Sequence, residues 1–494
     1  MRVPRRTLAK ALVVAFVVNL VVMGAGAALA YEEAPPIPDR IVGPDGETIA
    51  TGDDVQAGKA AFQRDGLMNH GSILGNGAYF GPDYTADALE LKTDAMRDYY
   101  AEERYGDAYG DLPEAERAAV DSLVKSDLDD GSPGDGVIEY SPAEAYAHEQ
   151  VRGEYVERYH EGSDTRGVPV DMIDSEEDAR RFADFALWTA WFSHTDRPGA
   201  DHSYTNDWPP APAAGNTPGA SAMTWSVIAM VLLVAGAGVG IWLYSSIDLP
   251  EPSAEGVDVP HPEDIDLLPS QSAALWFVPV AALLFLVQTL LGGLLAHYYI
   301  ERHAFFGIET IPGLGVDVLQ VLPFAMAKTW HIDLGILWIA TLWLGAGLFL
   351  PPLLTGYEPD NQARYVKGLL VTLVVVVAGG LTGVWLGAHG YFDGQLWWIL
   401  GNEGLEYLEV GKLWQVGLLA GFLAWAGFAA RGLKPLLDRE EPYGLAHMIL
   451  YAGGSIALLF TAGFMFTPQT NIAVTEFWRW WVVHMWVEGA FEFF

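Results

Sequence analysis

The sequence predicts a mainly α protein: a polytopic bundle of membrane helices that carries one polar domain between its first two spans. Three observations predict it. Apolar residues fill 51% of the 494 positions and come in blocks. Seven of the blocks reach the roughly 20 residues that an α-helix needs to cross a bilayer. Cationic residues gather in alternate loops, as they do where loops stay in the cytoplasm.

The blocks run near 9–30, 222–245, 272–298, 324–353, 364–388, 410–430 and 445–467, and an eighth begins near 472. Arg2, Arg5 and Arg6 precede the first block and hold that end inside. Ala28-Leu-Ala30 also fits a signal-peptide cleavage site, so 1–30 is either a retained membrane anchor or a removed leader. The run is long enough to span and stay. Either way, 31–221 lies outside the cell and the chain is a multi-pass plasma-membrane protein. Arg364, Lys367, Arg431, Lys434 and Arg439 then fall at inner loops, while loops 299–322 and 389–409 lie outside. The stretch 222–271 reads as a second span followed by a linker rich in proline and acid, and 272–494 as the main bundle.

Residues 31–221 hold 40 acidic and 14 basic side chains. Self-repulsion on that scale opposes a compact fold. Disorder is one reading. The many aromatic residues favour the other, a folded domain whose surface is adapted to high salt, where screening removes the repulsion. The acidity argues against nucleic-acid binding. The chain has no cysteine. That excludes disulfides, thiolate metal sites and covalent c-type haem.

The candidate chemistry lies at helix ends and at membrane depth. His484, Glu488 and Glu492 follow one another at four-residue steps, which puts them on one helix face. Imidazole plus carboxylate suits non-haem iron; a buried pair that satisfies itself is the competing reading. Glu492, one turn further, suits proton delivery. His331 opens an apolar run and can ligate haem, or simply bond a carbonyl at the interface. His297 and Glu301 repeat the four-residue spacing at an outer helix end, where they could accept protons from a hydroquinone; a plain helix end is the alternative. Glu406 and Glu409 lie where an outer loop enters a helix, offering oxygen ligands for calcium or favourable charge at the helix start. The loop Gly75 to Tyr84 is rich in glycine and aromatics and suits close packing or carbonyl ligation.

Taken together, these segments resemble the quinol-dependent nitric oxide reductases, single-chain members of the haem–copper oxidase superfamily, in a haloarchaeal type. The stretches that carry the resemblance are Gly71–Tyr84, Ser203–Pro209, His297–Glu301, His331–Pro351, Glu406–Glu409 and Trp480–Gly489, in the family's order. The resemblance implies a haem–copper oxidase-like bundle, represented by its first six helices, and an extracytoplasmic cytochrome c-like domain without haem. It implies His331 as an axial ligand of low-spin haem b, and His484 and Glu488 as ligands of a non-haem iron beside a high-spin haem b3. It places Glu409 and Glu492 near the site or its proton route. Gly77, Tyr79 and Glu406 would hold a Ca2+-type site, and His297 and Glu301 would line the quinol pocket. The implied reaction is 2 NO + 2 e⁻ + 2 H⁺ → N₂O + H₂O. Oxidases of this superfamily place a tyrosine four residues after the metal-binding histidine, and here that position is Glu488.

One departure is large. The family completes its iron site with adjacent histidines and its haems with a His-x-His pair on later helices; this sequence has neither pattern. The expectation is therefore a truncated or interrupted chain, or half of an enzyme whose remaining helices come from a second chain, and one that is inactive alone. Other readings are a terminal oxidase component, a bare cytochrome b using His331 and His389, and a cofactor-free scaffold or transporter.

Overall fold

The computed structural model describes residues 5–129, 136–163, 166–246, 266–302, 308, 310–439 and 444–492. A first helix, α1 (Arg5–Glu32), runs unbroken through the apolar block. Strands β1 (Arg40–Val42) and β2 (Thr48–Thr51) follow and pair antiparallel. Thr51 caps α2 (Gly52–Arg64) in a reciprocal box with Asp54, satisfying two amide donors at the helix start. A single turn, α3 (Leu67–His70), and the glycine-rich loop lead into α4 (Tyr84–Tyr105), capped by Asp83. Then come α5 (Glu114–Asp129), the short strand β3 (Val137–Glu139) parallel to β1, α6 (Pro142–Val156) and α7 (Glu176–His194).

The polar block is thus a folded helical domain. Phe62, Tyr84, Tyr155, Tyr159 and Phe182 meet in its centre, with Phe182 5.0 Å from Tyr84 and 5.2 Å from Tyr155, ring to ring. Each such ring contributes about 1.5–3 kcal/mol by burial. The domain also buries an ion pair: Lys92 lies 2.8 Å from Glu144, and both are nearly inaccessible. Replacing Glu144 with Gln leaves the ammonium group unpaired in an apolar setting, so Glu144→Gln is expected to cost about 3–5 kcal/mol in denaturant unfolding. A Lys92→Met, Glu144→Leu double variant should recover most of it; a single variant within about 1 kcal/mol of the parent would contradict the argument.

The membrane part begins with α8 (Ala220–Ser246) and continues, after a stretch that includes the linker and lies outside the described residues, with α9 (Pro269–Ala274) and α10 (Phe277–Glu301). A two-stranded turn, β4 (Thr310–Ile311) and β5 (Val316–Asp317), and the single turn α11 (Val318–Val321) lead into α12 (Phe324–Thr355). α13 (Gln362–Ala388), α14 (Leu396–Leu400), α15 (Lys412–Leu437), α16 (Leu445–Phe460) and α17 (Ile472–Trp481) complete the described helices, and α17 passes into a π-helical stretch, Val482–Glu492. Seven helices are long and apolar enough to cross a membrane. α8 exposes its whole apolar window, as a helix surrounded by lipid does.

The two cationic loops meet: Arg431 donates to the Asp360 carbonyl at 3.0 Å and covers the Tyr365 ring. The polar domain docks at the opposite ends of α12, α13 and α15. There Asn402 donates to the Arg64 carbonyl at 3.2 Å, and Gln63 to the Glu403 carbonyl at 3.1 Å. Gly404 makes this fit, because a Cβ there would stand 1.9 Å from the Gln63 carbonyl oxygen.

Candidate functional site at the seam and in the bundle

His331 sits in the first half of α12, facing α10. Its Nδ1 bonds the Gln288 carbonyl at 2.9 Å, and Nε2 has no partner among the described residues. A histidine whose Nδ1–H is fixed by a carbonyl presents Nε2 as a lone pair, the usual arrangement for a metal-ligating imidazole. The ring lies over Gly292, where a Cβ would come within 3.0 Å of Cε1. These residues fit an axial haem ligand. His389 does not. Its Nδ1 bonds the Trp385 carbonyl at 2.8 Å, its Nε2 the Gln320 carbonyl at 3.1 Å, and its ring stacks on Trp385. The His331–His389 cytochrome therefore loses its second ligand.

His484 and Glu488 lie in the π-helical stretch, a local irregularity often found at functional positions. His484 Nδ1 is 2.8 Å from Glu488 Oε2, and both side chains are about half exposed. Trp480 stacks on the imidazole at 5.0 Å, while Trp486 turns the other way, into Phe422 and Phe460. A nitrogen and an oxygen donor thus point together away from the packed face. They fit two positions of a non-haem iron site, and no group of three or more such donors converges among the described residues. The Glu492 side chain lies outside the described residues.

At the outer end of α10, His297 Nδ1 is 3.4 Å from Glu301 Oε1, and both side chains make further contacts. The spacing expected from sequence is therefore realised.

Glu406 gathers partners from three segments: Lys328 of α12 at 3.2 Å, Tyr79 of the glycine-rich loop at 3.3 Å and Arg479 of α17 at 3.6 Å. Lys328 also stands 3.3 Å above the Tyr79 ring. Gly77, at φ +100°, has a conformation closed to most side chains, and its carbonyl accepts from the Ser72 hydroxyl. Calcium takes six to eight oxygen ligands. One carboxylate, one phenol and one carbonyl fall short of that, and two side-chain cations already neutralise Glu406. As arranged here, Gly77, Tyr79 and Glu406 do not by themselves make a calcium site.

Glu409 is fully buried beneath this cluster. Asn69 of α3 donates to its carboxylate at 3.0 Å and to Thr329 at 2.8 Å, and Asp333 of α12 hydrogen-bonds the same carboxyl group. Burial pushes Glu409 up to about 7, Glu406 adds to the effect and Asn69 opposes it. Burial also raises Glu403 to about 8, against the pull of Lys412 2.9 Å away. The sign follows. A carboxyl group whose folded pKa is raised stabilises fully below its unfolded value and loses that contribution as pH rises through the folded one. Stability should therefore fall between about pH 4.5 and pH 8. Glu409→Gln should remove up to about 3 kcal/mol of the fall. Denaturant unfolding at several values across that window checks this, and equal slopes in parent and variant would refute it.

Sequence reasoning missed Asn69, Lys328, Asp333 and Arg479. Asp333 and Arg479 did carry a signal, as ionisable groups within apolar runs. Asn69 carried none.

Similarity to known proteins follows the same division of the chain. Residues 38–210 match the NorB cytochrome c-like domain of nitric oxide reductase. Residues 272–494 match "Cytochrome C and Quinol oxidase polypeptide I". The fold is a haem–copper oxidase-type membrane bundle with a cytochrome c-like domain. A curated relative, the NorB-type chain of the nitric oxide reductase of Stutzerimonas stutzeri, is 26% identical over 235 residues, which is 45% of this chain and 43% of the relative. The match thus spans less than half the length of that relative.

Proposed function

We propose that this chain is the catalytic component of a nitric oxide reductase, an oxidoreductase that converts 2 NO to N₂O with electrons from membrane quinol. The observation that carries the reading is Glu488, hydrogen-bonded to His484 where an oxygen-reducing relative would carry tyrosine. A carboxylate beside an imidazole suits iron better than copper, and joining two NO molecules requires no O–O cleavage. When bound, low-spin haem b, high-spin haem b3 and non-haem iron would supply electron transfer and hold the two NO molecules as neighbours.

The chain's own residues do the rest. Gln288 orients the His331 ring so that Nε2 is available as an axial ligand. His484 and Glu488 offer the iron a nitrogen and an oxygen. His297 and Glu301 accept the hydroxyl protons of the hydroquinone at the outer end of α10. Glu409 and Asp333, joined through their carboxyl groups, hold a proton on the path inward from the seam, and Glu492 lies one turn beyond Glu488 to receive one. The aromatic centre of the polar domain supports its reading as a cytochrome c-like domain that carries no haem. The positions of the cationic loops and the polar domain at opposite ends of the bundle support an extracytoplasmic placement of residues 31–221 in the plasma membrane.

The test uses native membranes containing the protein. Reduced-minus-oxidised spectra should show b-type haem. An NO electrode should record consumption driven by added quinol, with one N₂O formed per two NO. Oxygen uptake without NO consumption would favour the oxidase reading; absence of any haem absorption would favour the cofactor-free scaffold.

A further inference from the structure

A cavity of about 230 Å³ opens where the polar domain meets the outer end of α10. Its wall includes His70, Phe80, Arg158, Arg166, Val168 and Arg302. The charges there do not cancel. Arg158 is satisfied, with two bonds to Asp87 at 2.9 Å and one to Glu154 at 2.5 Å. Arg166 reaches only the same Glu154, at 3.6 Å. Arg302 lies over the Phe80 ring at 4.7 Å and has no carboxylate partner among the described residues. Three guanidinium groups thus face two carboxylates, in a chain with 63 acidic and 27 basic residues. A positive cavity in so acidic a protein runs against the background.

His70 is a second, independent observation. It is only 3% exposed, and neither ring nitrogen has a hydrogen-bond partner among the described residues. Phe80, Tyr159 and Phe324 meet its ring edge-on. Gly81 leaves the space the ring occupies, since a Cβ there would fall 2.3 Å from Cδ2. Burial first, then Arg302 and Lys328, hold His70 down to about 4, so at neutral pH it offers one N–H and one lone pair. An unpaired buried donor of this kind calls for an acceptor.

We propose that this cavity binds a phosphate group. Guanidinium forks match tetrahedral oxyanions in pairs of parallel hydrogen bonds. Arg302 and Arg166 have forks to spare, and His70 adds a neutral donor from below. Phe80, Pro82 and Val168 give the remaining wall an apolar character that tolerates the carbon side of a phosphate ester. Two sources share this chemistry. Arg302 ends α10 where an apolar helix leaves the bilayer, within reach of phospholipid headgroups; free phosphate from the solution is the other source.

The experiment uses the full chain purified in detergent, with Arg302→Gln and Arg166→Gln as variants. Arg166 is half exposed, so its replacement leaves the core intact. One arm titrates inorganic phosphate by calorimetry at constant ionic strength. The other measures lipid phosphorus retained per chain after delipidation. The expected result is either saturable phosphate binding weakened at least tenfold in each variant, or about one phospholipid per chain retained by the parent and lost by both variants. No saturable phosphate binding together with no retained phospholipid overturns the proposal, as does binding that both variants leave unchanged. Neither readout depends on NO turnover, so the result is separate from the fate of the catalytic reading.

Discussion

Replacing His331 with alanine will remove the low-spin b-type haem signal from membranes containing this protein while leaving the polypeptide inserted. The expectation rests on how little else is available. His331 alone combines a fixed Nδ1 with an Nε2 that has no partner among the described residues, whereas His389 has both nitrogens bonded to carbonyls. Losing the ring costs the bundle little, because it is partly exposed and bonded to one carbonyl. Losing an iron–nitrogen bond costs the haem its anchor, and the spectral loss should be near complete. A control separates ligation from packing. Gly292→Val should crowd the ring, since even a methyl group at that position approaches Cε1 to 3.0 Å. It should broaden or shift the signal without abolishing it. A His331→Ala protein with an unchanged low-spin spectrum would place the ligand elsewhere.

Much of the bundle was legible because membrane insertion imposes a one-dimensional rule. A span must be long and apolar, and both properties are local in sequence. The blocks read at 324–353 and 364–388 end within two residues of Phe324–Thr355 and Gln362–Ala388. The last block was less legible: apolarity continues past Trp481, but the hydrogen-bond register changes there to π. Nothing in an apolar run announces such a change. The balance between disorder and folding in the acidic block was likewise open from composition, and aromatic packing around Phe182 decides it.

The site was legible where it depends on four-residue spacing and illegible where it depends on the seam. His484–Glu488 and His297–Glu301 are neighbours on one helix, so counting found them. Asn69 and Glu409 are 340 residues apart and meet only because α3 lies against α12. Glu406 shows the same limit from the other side. Its carboxylate was readable as a cation ligand, but the cations in place are Lys328 and Arg479, brought from two other helices. Charge near a helix start has many possible partners, and only the tertiary fold selects among them.

The second large effect is expected at His484 and Glu488. Their mutual hydrogen bond at 2.8 Å admits two explanations, a self-satisfied pair and a ligand pair at rest, and the two predict different results. A self-satisfied pair that is half exposed is worth at most about 1 kcal/mol, because water competes for both groups. Breaking it should then barely change the protein. A ligand pair loses a metal bond with either substitution. Under the proposed function, His484→Ala and Glu488→Gln should each lower iron per chain and reduce NO consumption by at least about 100-fold, the scale seen when groups that hold a reaction centre are removed. The decisive comparison is the Gln variant, which keeps the shape and the hydrogen bond to imidazole but removes the negative charge. If Glu488→Gln keeps both its iron and its NO consumption, the carboxylate serves only its neighbour. If iron falls while the unfolding free energy stays within about 1 kcal/mol of the parent, the charge serves a metal.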